Sequence, residues 1–335
     1  MSYRGKRVLV TGAEGFIGSH LTEALVRAGA SVTALSLYNS FGQHGWLDSL
    51  SDDVRGSITT QAGDVRDPHF MRTLCEGQDI VFHLAALIAI PYSYVAPQSY
   101  VDTNVTGTVN VLEAVRAGGA GRLVHTSTSE VYGTALFTPI TEEHPLQGQS
   151  PYSASKIAAD HMVEAYHRSF DLPAVVLRPF NTFGPRQSER AVIPTVIRQV
   201  LDPACGEIQL GDLTAARDFN FVTDTAAAFL AIGTAEGLQM GRAYNAGTGE
   251  NVTIGEMVET VLEVTGTNKP VVQQQDRMRP KASEVFNLLA DAQRLTGATG
   301  WKPAHTLQSG IAETIEWWRD EIAAGRVRPD SSYLI

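Results

Sequence analysis

The chain has no long uninterrupted apolar run, and its first residues lead straight into a short strand pattern. We therefore expect neither a transmembrane helix nor a secretion signal, and a cytoplasmic location. Cysteine is scarce. Cys75 and Cys205 are far apart and in no metal-ligand pattern, which predicts two reduced thiols, no disulfide framework and no metal site. Cations are outnumbered, 26 Lys and Arg against 36 Asp and Glu, for a formal net charge of -10. That balance argues against non-specific nucleic-acid binding, but a locally positive pocket could still take an anionic small molecule. Repeats and low-complexity linkers are missing too. What remains is 335 residues with 43% hydrophobic content, enough for one large domain with a smaller appendage.

The most informative stretch runs from 122 to 156. RLVHTSTSEVYG reads as a buried strand that delivers Thr126, Ser127, Thr128, Ser129 and Glu130 to its C-terminal end. PYSASKIAADHMVEAY then starts a helix at Pro151 and Ser153, with Ala154, Ile157, Ala158, His161 and Met162 at helical spacing. Tyr152 and Lys156 share a face of that helix. A lysine ammonium beside a phenol is expected to favour the phenolate, which can take a proton from an alcohol while hydride leaves the same carbon. That chemistry needs a nicotinamide.

The N-terminal half supplies a place for one. Val8-Leu9-Val10 precedes TGAEGFIGSHLTEALVRAG, and SVTALSL follows as a second strand. A glycine loop (Gly12, Gly15, Gly18) between strand and helix lets backbone approach a pyrophosphate at the helix N-terminus. We assign Gly12, Gly15, Phe16, Ile17 and Gly18 to that contact. The second strand ends in Ser36, Leu37, Tyr38, Asn39 and Ser40, with neither the acidic residue that marks NAD nor the arginine that marks NADP. Ser36, Tyr38, Asn39 and Ser40 are the candidates at the ribose, and the missing arginine favours NAD. His44 and Trp46 either wall that pocket or pack over the loop base. After a third strand (57–61), Asp64 and Val65 either meet the adenine or, for Asp64, cap the helix from about Pro68. A fourth strand (79–84) ends in Leu84, Ala85 and Ala86, small enough for close approach to the cofactor. IAIPYSYVAPQSY (88–100) is expected to be a structured loop, leading to a helix with Asn104 near the site.

Beyond PAVVLR (173–178) the chain brings Asn181 to a strand end and then changes character. It alternates an apolar helix (AVIPTVIRQVL), short strands, and ARDFNFVTDT with Arg217 and Asp218. AYNAG (243–247) looks like a late strand returning to the sheet. Thr253 with Glu256 forms a capping-box pair, and Leu307, Ile311, Ile315 and Trp318 share a terminal helix. The fold class is α/β, a Rossmann-type parallel sheet flanked by helices with a smaller mixed α/β C-terminal domain. We divide it as 1–180 for the cofactor, with segments near 218–247 returning to it, and 181–330 mainly for substrate. Arg186, Arg217 and Arg279 follow loops of that second part, where planar guanidinium forks suit phosphate oxygens.

These groups allow a specific reaction. Tyr152, supported by Thr128 and Lys156, would oxidise a sugar-like alcohol to a ketone. Glu130 would then remove the α proton, because the enolate is conjugated with the new carbonyl. Loss of a neighbouring hydroxyl and hydride return complete an internal redox dehydration. The plain alternative for Glu130 is a buried carboxylate holding backbone N–H groups.

The glycine loop, the Tyr152–Lys156 pair and the strand ending in Thr128 together resemble the extended short-chain dehydrogenase/reductase family over essentially the full length. STSEVYG followed by YSASK is similar to nucleotide-sugar 4,6-dehydratases. LYNSFGQHGWLD, IAIPYSYVAPQSYVDTNV, RDFNFVTDT and RPKASEV resemble most the GDP- or UDP-N-acetylglucosamine 4,6-dehydratases of legionaminic-acid-type pathways. The resemblance implies that Thr128, Tyr152 and Lys156 oxidise C4, and that Glu130 takes the C5 proton. It further implies Asn181 and Arg217 as substrate contacts, NAD as cofactor, a nucleotide-diphosphate sugar as substrate, and a homodimer through helices near 103–116 and 154–169. One departure stands out. Where dTDP-glucose 4,6-dehydratases carry an aspartate before the glutamate, this chain has Ser129, so Glu130 or a water would protonate the leaving hydroxyl. UDP-glucuronate decarboxylases share the serine–glutamate pair, and Arg279-Pro280 resembles their carboxylate-binding segment. C4 or C5 epimerisation and a non-enzymatic NAD-binding regulator are the other readings.

Overall fold

The computed structural model describes residues 3–274 and 285–327. The chain begins β1 (Arg7–Thr11), α1 (Phe16–Arg27), β2 (Ser31–Leu37), α2 (Asp52–Arg55), β3 (Ile58–Gly63), α3 (Pro68–Cys75) and β4 (Ile80–His83). Then come α4 (Ile90–Val95), α5 (Pro97–Tyr100), a π-helical turn (Val101–Thr106), α6 (Gly107–Gly118), β5 (Arg122–Thr126) and a 3-10 turn (Ser129–Tyr132). The stretch 88–100, expected to be a loop, therefore holds two short helices. Each has a proline in its first turn, where a missing N–H costs nothing.

The long helix α7 (Pro151–Phe170) opens on Ser150, which exchanges hydrogen bonds with Ser153 in a capping box. It is followed by β6 (Ala174–Pro179), β7 (Asn181–Phe183), α8 (Val192–Leu201), β8 (Ile208–Leu210), β9 (Ala216–Arg217), β10 (Phe219–Phe221) and α9 (Val222–Thr234). The rest comprises β11 (Ala243–Ala246), β12 (Val252–Thr253), α10 (Ile254–Thr265), β13 (Val271–Gln273), β14 (Asn287–Leu288), α11 (Gln293–Thr299) and α12 (Leu307–Ala323). Thr253 and Glu256 close the capping box expected at α10.

Seven strands form one parallel sheet in the order β11-β6-β5-β4-β1-β2-β3. The predicted late strand 243–247 is its edge, β11, paired with β6. Alternation along β1 splits the core: Val8 and Val10 join Leu21, Leu25, Phe82, Phe229 and Ile232 on one face. Leu9 joins Val81, Met71, Val111, Leu112 and Val163 on the other. A separate apolar cluster, with Phe183, Ile197, Phe221, Met257, Val261, Ile315 and Trp318, ties α8, α10 and α12 to β7 and β10. The winding direction reverses at β1, which pairs with β2 on one side and β4 on the other. In parallel α/β sheets a crevice opens beyond the strand ends at such a point. The chemistry-bearing residues gather around it. Among the described residues, no helix is long and apolar enough to cross a membrane, and no His, Cys, Asp and Glu cluster could hold a metal ion.

Candidate active site

The residues following β1 form a cradle that side chains would fill. Gly12 has φ +68, and a Cβ there would lie 2.7 Å from Ala85 N; one on Gly18 would collide with Gly12 O. Helix α1 starts at Phe16 with Gly15 as N-cap and no side-chain cap, so its first N–H groups have no capping side chain to bond. Opposite, Thr11 Oγ1 accepts the N–H groups of Leu84 and Ala85, both at 3.1 Å, which fixes the strand end before Ala86. An uncapped helix N-terminus behind glycine backbone fits the pyrophosphate of a dinucleotide.

The ribose candidates fare differently. Ser36 Oγ is 2.8 Å from His44 Nδ1. Asn39 organises its own loop, donating to Gln43 O at 2.6 Å and accepting from Phe41 N at 3.1 Å. Tyr38 and Ser40 are exposed. Asp64 does not cap α3. Its carboxylate takes the Arg66 side chain and Arg66 N–H, and Asp67 caps instead, accepting from His69 N at 2.9 Å. Two acids three residues apart were equally placed in the sequence; only Asp67 directly precedes Pro68. Val65 is buried. The Trp46 ring packs edge-on against Trp317 of α12, centroids 5.5 Å apart.

At the C-terminal end of β5 the chain turns sharply, and Thr128 caps the 3-10 turn by accepting the Glu130 N–H at 3.2 Å. This brings Glu130 and Thr128 close enough to act on the Tyr152 phenol, Glu130 raising its pKa and Thr128 lowering it. Ser129 is buried. Tyr152 packs against Tyr100, centroids 6.3 Å apart, and Ile90, so the two short helices before the π-helical turn form its apolar wall. Asn104 in that turn accepts the Leu87 N–H (2.8 Å) and donates to Leu87 O (2.9 Å) and Ser155 Oγ (3.0 Å). It thereby joins the loop after β4 to helix α7, a positioning role near the site. A π-helical turn in a functional region is a common pattern.

The expectation that Lys156 favours the phenolate needs correction. Burial drives the Tyr152 phenol far above its usual range, and Glu130, Tyr100 and Asp160 push the same way against the Thr128 hydrogen bond. Burial also lowers the Lys156 ammonium to about 8, with Asp160 opposing. The ammonium is held by the Thr126 carbonyl at 2.6 Å. Behind it lies a buried polar group the sequence reading missed. Asp160 Oδ2 receives Arg178 Nε (3.0 Å), Arg178 Nη2 (2.9 Å) and Ser127 Oγ (2.8 Å), and Oδ1 faces His125 Nε2 at 3.4 Å. Burial holds His125 at about 4 and His83 well below its usual range, so both are neutral at pH 7. The one available signal was Asp160 one helical turn beyond Lys156.

Of the proposed substrate contacts, Asn181 stands at the start of β7, its Oδ1 buried without a hydrogen-bond partner. Arg217 is buried in β9, donating to Ala216 O at 3.0 Å. Arg186, at φ 69, turns back to α1, where it meets Glu23 at 3.0 Å and Ser19 at 3.4 Å. Arg279 lies outside the described residues.

With that geometry in place, the chain matches the family described as GDP-mannose 4,6 dehydratase over residues 9–314. It belongs to that family, within the extended short-chain dehydrogenase/reductases. Among its relatives, a dTDP-glucose 4,6-dehydratase of an Actinoplanes species is 32% identical over 321 residues, covering 93% of this chain and 98% of that one. The structure of a UDP-N-acetylglucosamine 4-epimerase from Methanobrevibacter ruminantium, in complex with UDP-N-acetylmuramic acid, superposes with TM-score 0.86 at 29% identity, covering 95% and 99% of the two chains. DesIV, a dTDP-glucose 4,6-dehydratase from Streptomyces venezuelae solved with NAD bound, gives 0.84 at 29% identity, covering 95% and 98%. The family's nucleotide-sugar dehydratases and epimerases thus share this sheet and this crevice.

Proposed function

We propose that the chain is an NAD-dependent nucleotide-sugar 4,6-dehydratase that converts a GDP- or UDP-linked N-acetylglucosamine to its 4-keto-6-deoxy form. What supports this reading is a carboxylate, Glu130, in the 3-10 turn capped by Thr128, within electrostatic range of the Tyr152 phenol. A ketone-flipping epimerase has no evident use for it.

NAD, held at the glycine loop by Gly12, Gly15 and Gly18, would supply the hydride acceptor for oxidation at C4 and the hydride donor for reduction at C6. Tyr152 removes the C4 hydroxyl proton, with Thr128 hydrogen-bonded to the phenol and Lys156 supplying a positive charge nearby. Glu130 takes the C5 proton once C4 is a ketone, and delivers it to the C6 oxygen as water leaves. The proton that C5 regains on hydride return balances the one taken by Tyr152. Ser129 is a poor acid, so Glu130 carries the transfer alone. Asn181 and Arg217 bind the nucleotide sugar, and Gly12, Gly15 and Gly18 bind the dinucleotide phosphates.

Incubation with GDP- and UDP-N-acetylglucosamine, UDP-glucose, dTDP-glucose, GDP-mannose and UDP-glucuronate, read by mass, tests the assignment. A product lighter by one water supports it. Loss of carbon dioxide identifies a decarboxylase, and an unchanged mass with a new NMR pattern identifies an epimerase. In Glu130→Gln, bound NAD is expected to be reduced by substrate while dehydration falls by about 10²- to 10⁴-fold, the usual worth of a positioned base. Full turnover would remove Glu130 from the mechanism.

A further inference from the structure

Two non-glycine residues among those described adopt left-handed backbone. Asp171, at φ 53, ends α7, where helices commonly place such a residue. Arg186, at φ 69, ends no helix. A residue with a Cβ disfavours that conformation, so its surroundings must hold it there.

What holds it is helix α1. Arg186 Nη2 donates to Glu23 Oε2 at 3.0 Å, and Nη1 to Ser19 Oγ at 3.4 Å. One residue earlier, His20 Nε2 donates to Pro185 O at 3.0 Å. Burial and the Arg186 charge lower His20 to about 4, so its imidazole is neutral at pH 7. The His20 ring meets Phe16, the first residue of α1, edge-on with centroids 6.1 Å apart. At its other end the turn folds onto β7. Gln187 N–H donates to Gly184 O at 3.3 Å, and Gln187 Nε2 to Thr182 O at 2.9 Å. Residues 184–187 thus form a strap, anchored on the helix that follows the glycine loop and continuous with the strand that carries Asn181.

We propose that Arg186 is a positioning residue for the nucleotide sugar and not a phosphate ligand: gripped by Glu23 and Ser19, it fixes the turn after β7 and so sets Asn181 relative to the dinucleotide at the start of α1. A guanidinium compensated by a carboxylate of α1 suits holding a turn better than capturing an anion. The assignment rests on the reading of Asn181 as a substrate contact.

Steady-state turnover of UDP- and GDP-N-acetylglucosamine by the NAD-loaded protein tests it. Arg186→Ala keeps a Cβ and loses the grip, so the turn leaves its left-handed shape. KM should rise by about five- to thirtyfold, with kcat within about twofold of wild type. Arg186→Gly loses the same grip, but glycine takes positive φ about as readily as negative. Its KM should rise only about twofold. Glu23→Ala frees the guanidinium and should raise KM by about threefold or more. A phosphate ligand would behave otherwise: alanine and glycine at 186 would raise KM equally, and Glu23→Ala would leave KM unchanged or lower it. Either result, or a KM unchanged in Arg186→Ala, overturns the proposal in variants whose circular dichroism matches wild type. Turnover of neither nucleotide sugar by wild type defeats the substrate reading, and this assignment with it.

Discussion

Asp160 is the residue whose replacement the structure constrains most tightly. Burial alone would raise its carboxyl, yet Arg178, His125 and Lys156 together hold it at about 2 instead of 3.8. Holding a carboxyl that far down stabilises the folded chain by about 2–3 kcal/mol at neutral pH. The folded value is the depressed one, so the contribution is complete above about pH 4 and is lost as pH falls through about 2. Asp160→Asn removes the charge and leaves the buried Arg178 guanidinium without its counter-ion. Breaking such a pair costs about 3–5 kcal/mol. The two figures bracket a loss of about 2–5 kcal/mol, or about 3–7 °C in melting temperature for a chain of this size. Thermal melts followed by circular dichroism at pH 7 measure it directly. The gap between wild type and variant should narrow as the pH is taken from 4 towards 2. A variant melting within about 1 °C of wild type at pH 7 would refute the reasoning, because removing one member of a buried ion pair leaves the other charge uncompensated.

Gly18→Ala should keep the fold but lose dinucleotide binding, since the added methyl collides with Gly12 O and must displace the glycine loop; titration with ADP-ribose reads this out. Asn104→Ala strands the Leu87 main-chain groups and Ser155 Oγ. It should destabilise by about 1–3 kcal/mol in urea, with a fall in turnover from slack between the loop after β4 and α7.

Much of the frame was readable because period and punctuation agree with the final contacts. The glycine loop sits between β1 and α1, Ser150–Ser153 starts α7, and AYNAG returns as β11. Local patterns could not settle choices among near-equivalent neighbours. Asp64 and Asp67 both precede the same helix; Asp67 adjoins Pro68 and takes the cap, while Asp64 is held by Arg66. Ile90–Val95 and Pro97–Tyr100 fold into helices because they close over Tyr152, a contact between residues some fifty apart that no window of sequence contains.

Electrostatics depart furthest from what residue spacing implies, and the departure explains why a buried aspartate stands behind the lysine. Spacing alone puts an ammonium beside a phenol and predicts an ionised pair. Burial works against both charges at once, raising Tyr152, which packs on Tyr100 and Ile90, and bringing Lys156 down to about 8. At that value the ammonium would be easily lost, and Asp160 is the group that opposes the loss. Arg178, in turn, keeps Asp160 ionised in a place where an isolated carboxylate would be protonated. The charge on Lys156 therefore depends on a guanidinium in β6 acting through a carboxylate on α7. His125 and His83, neutral and packed alongside, add no competing positive charge.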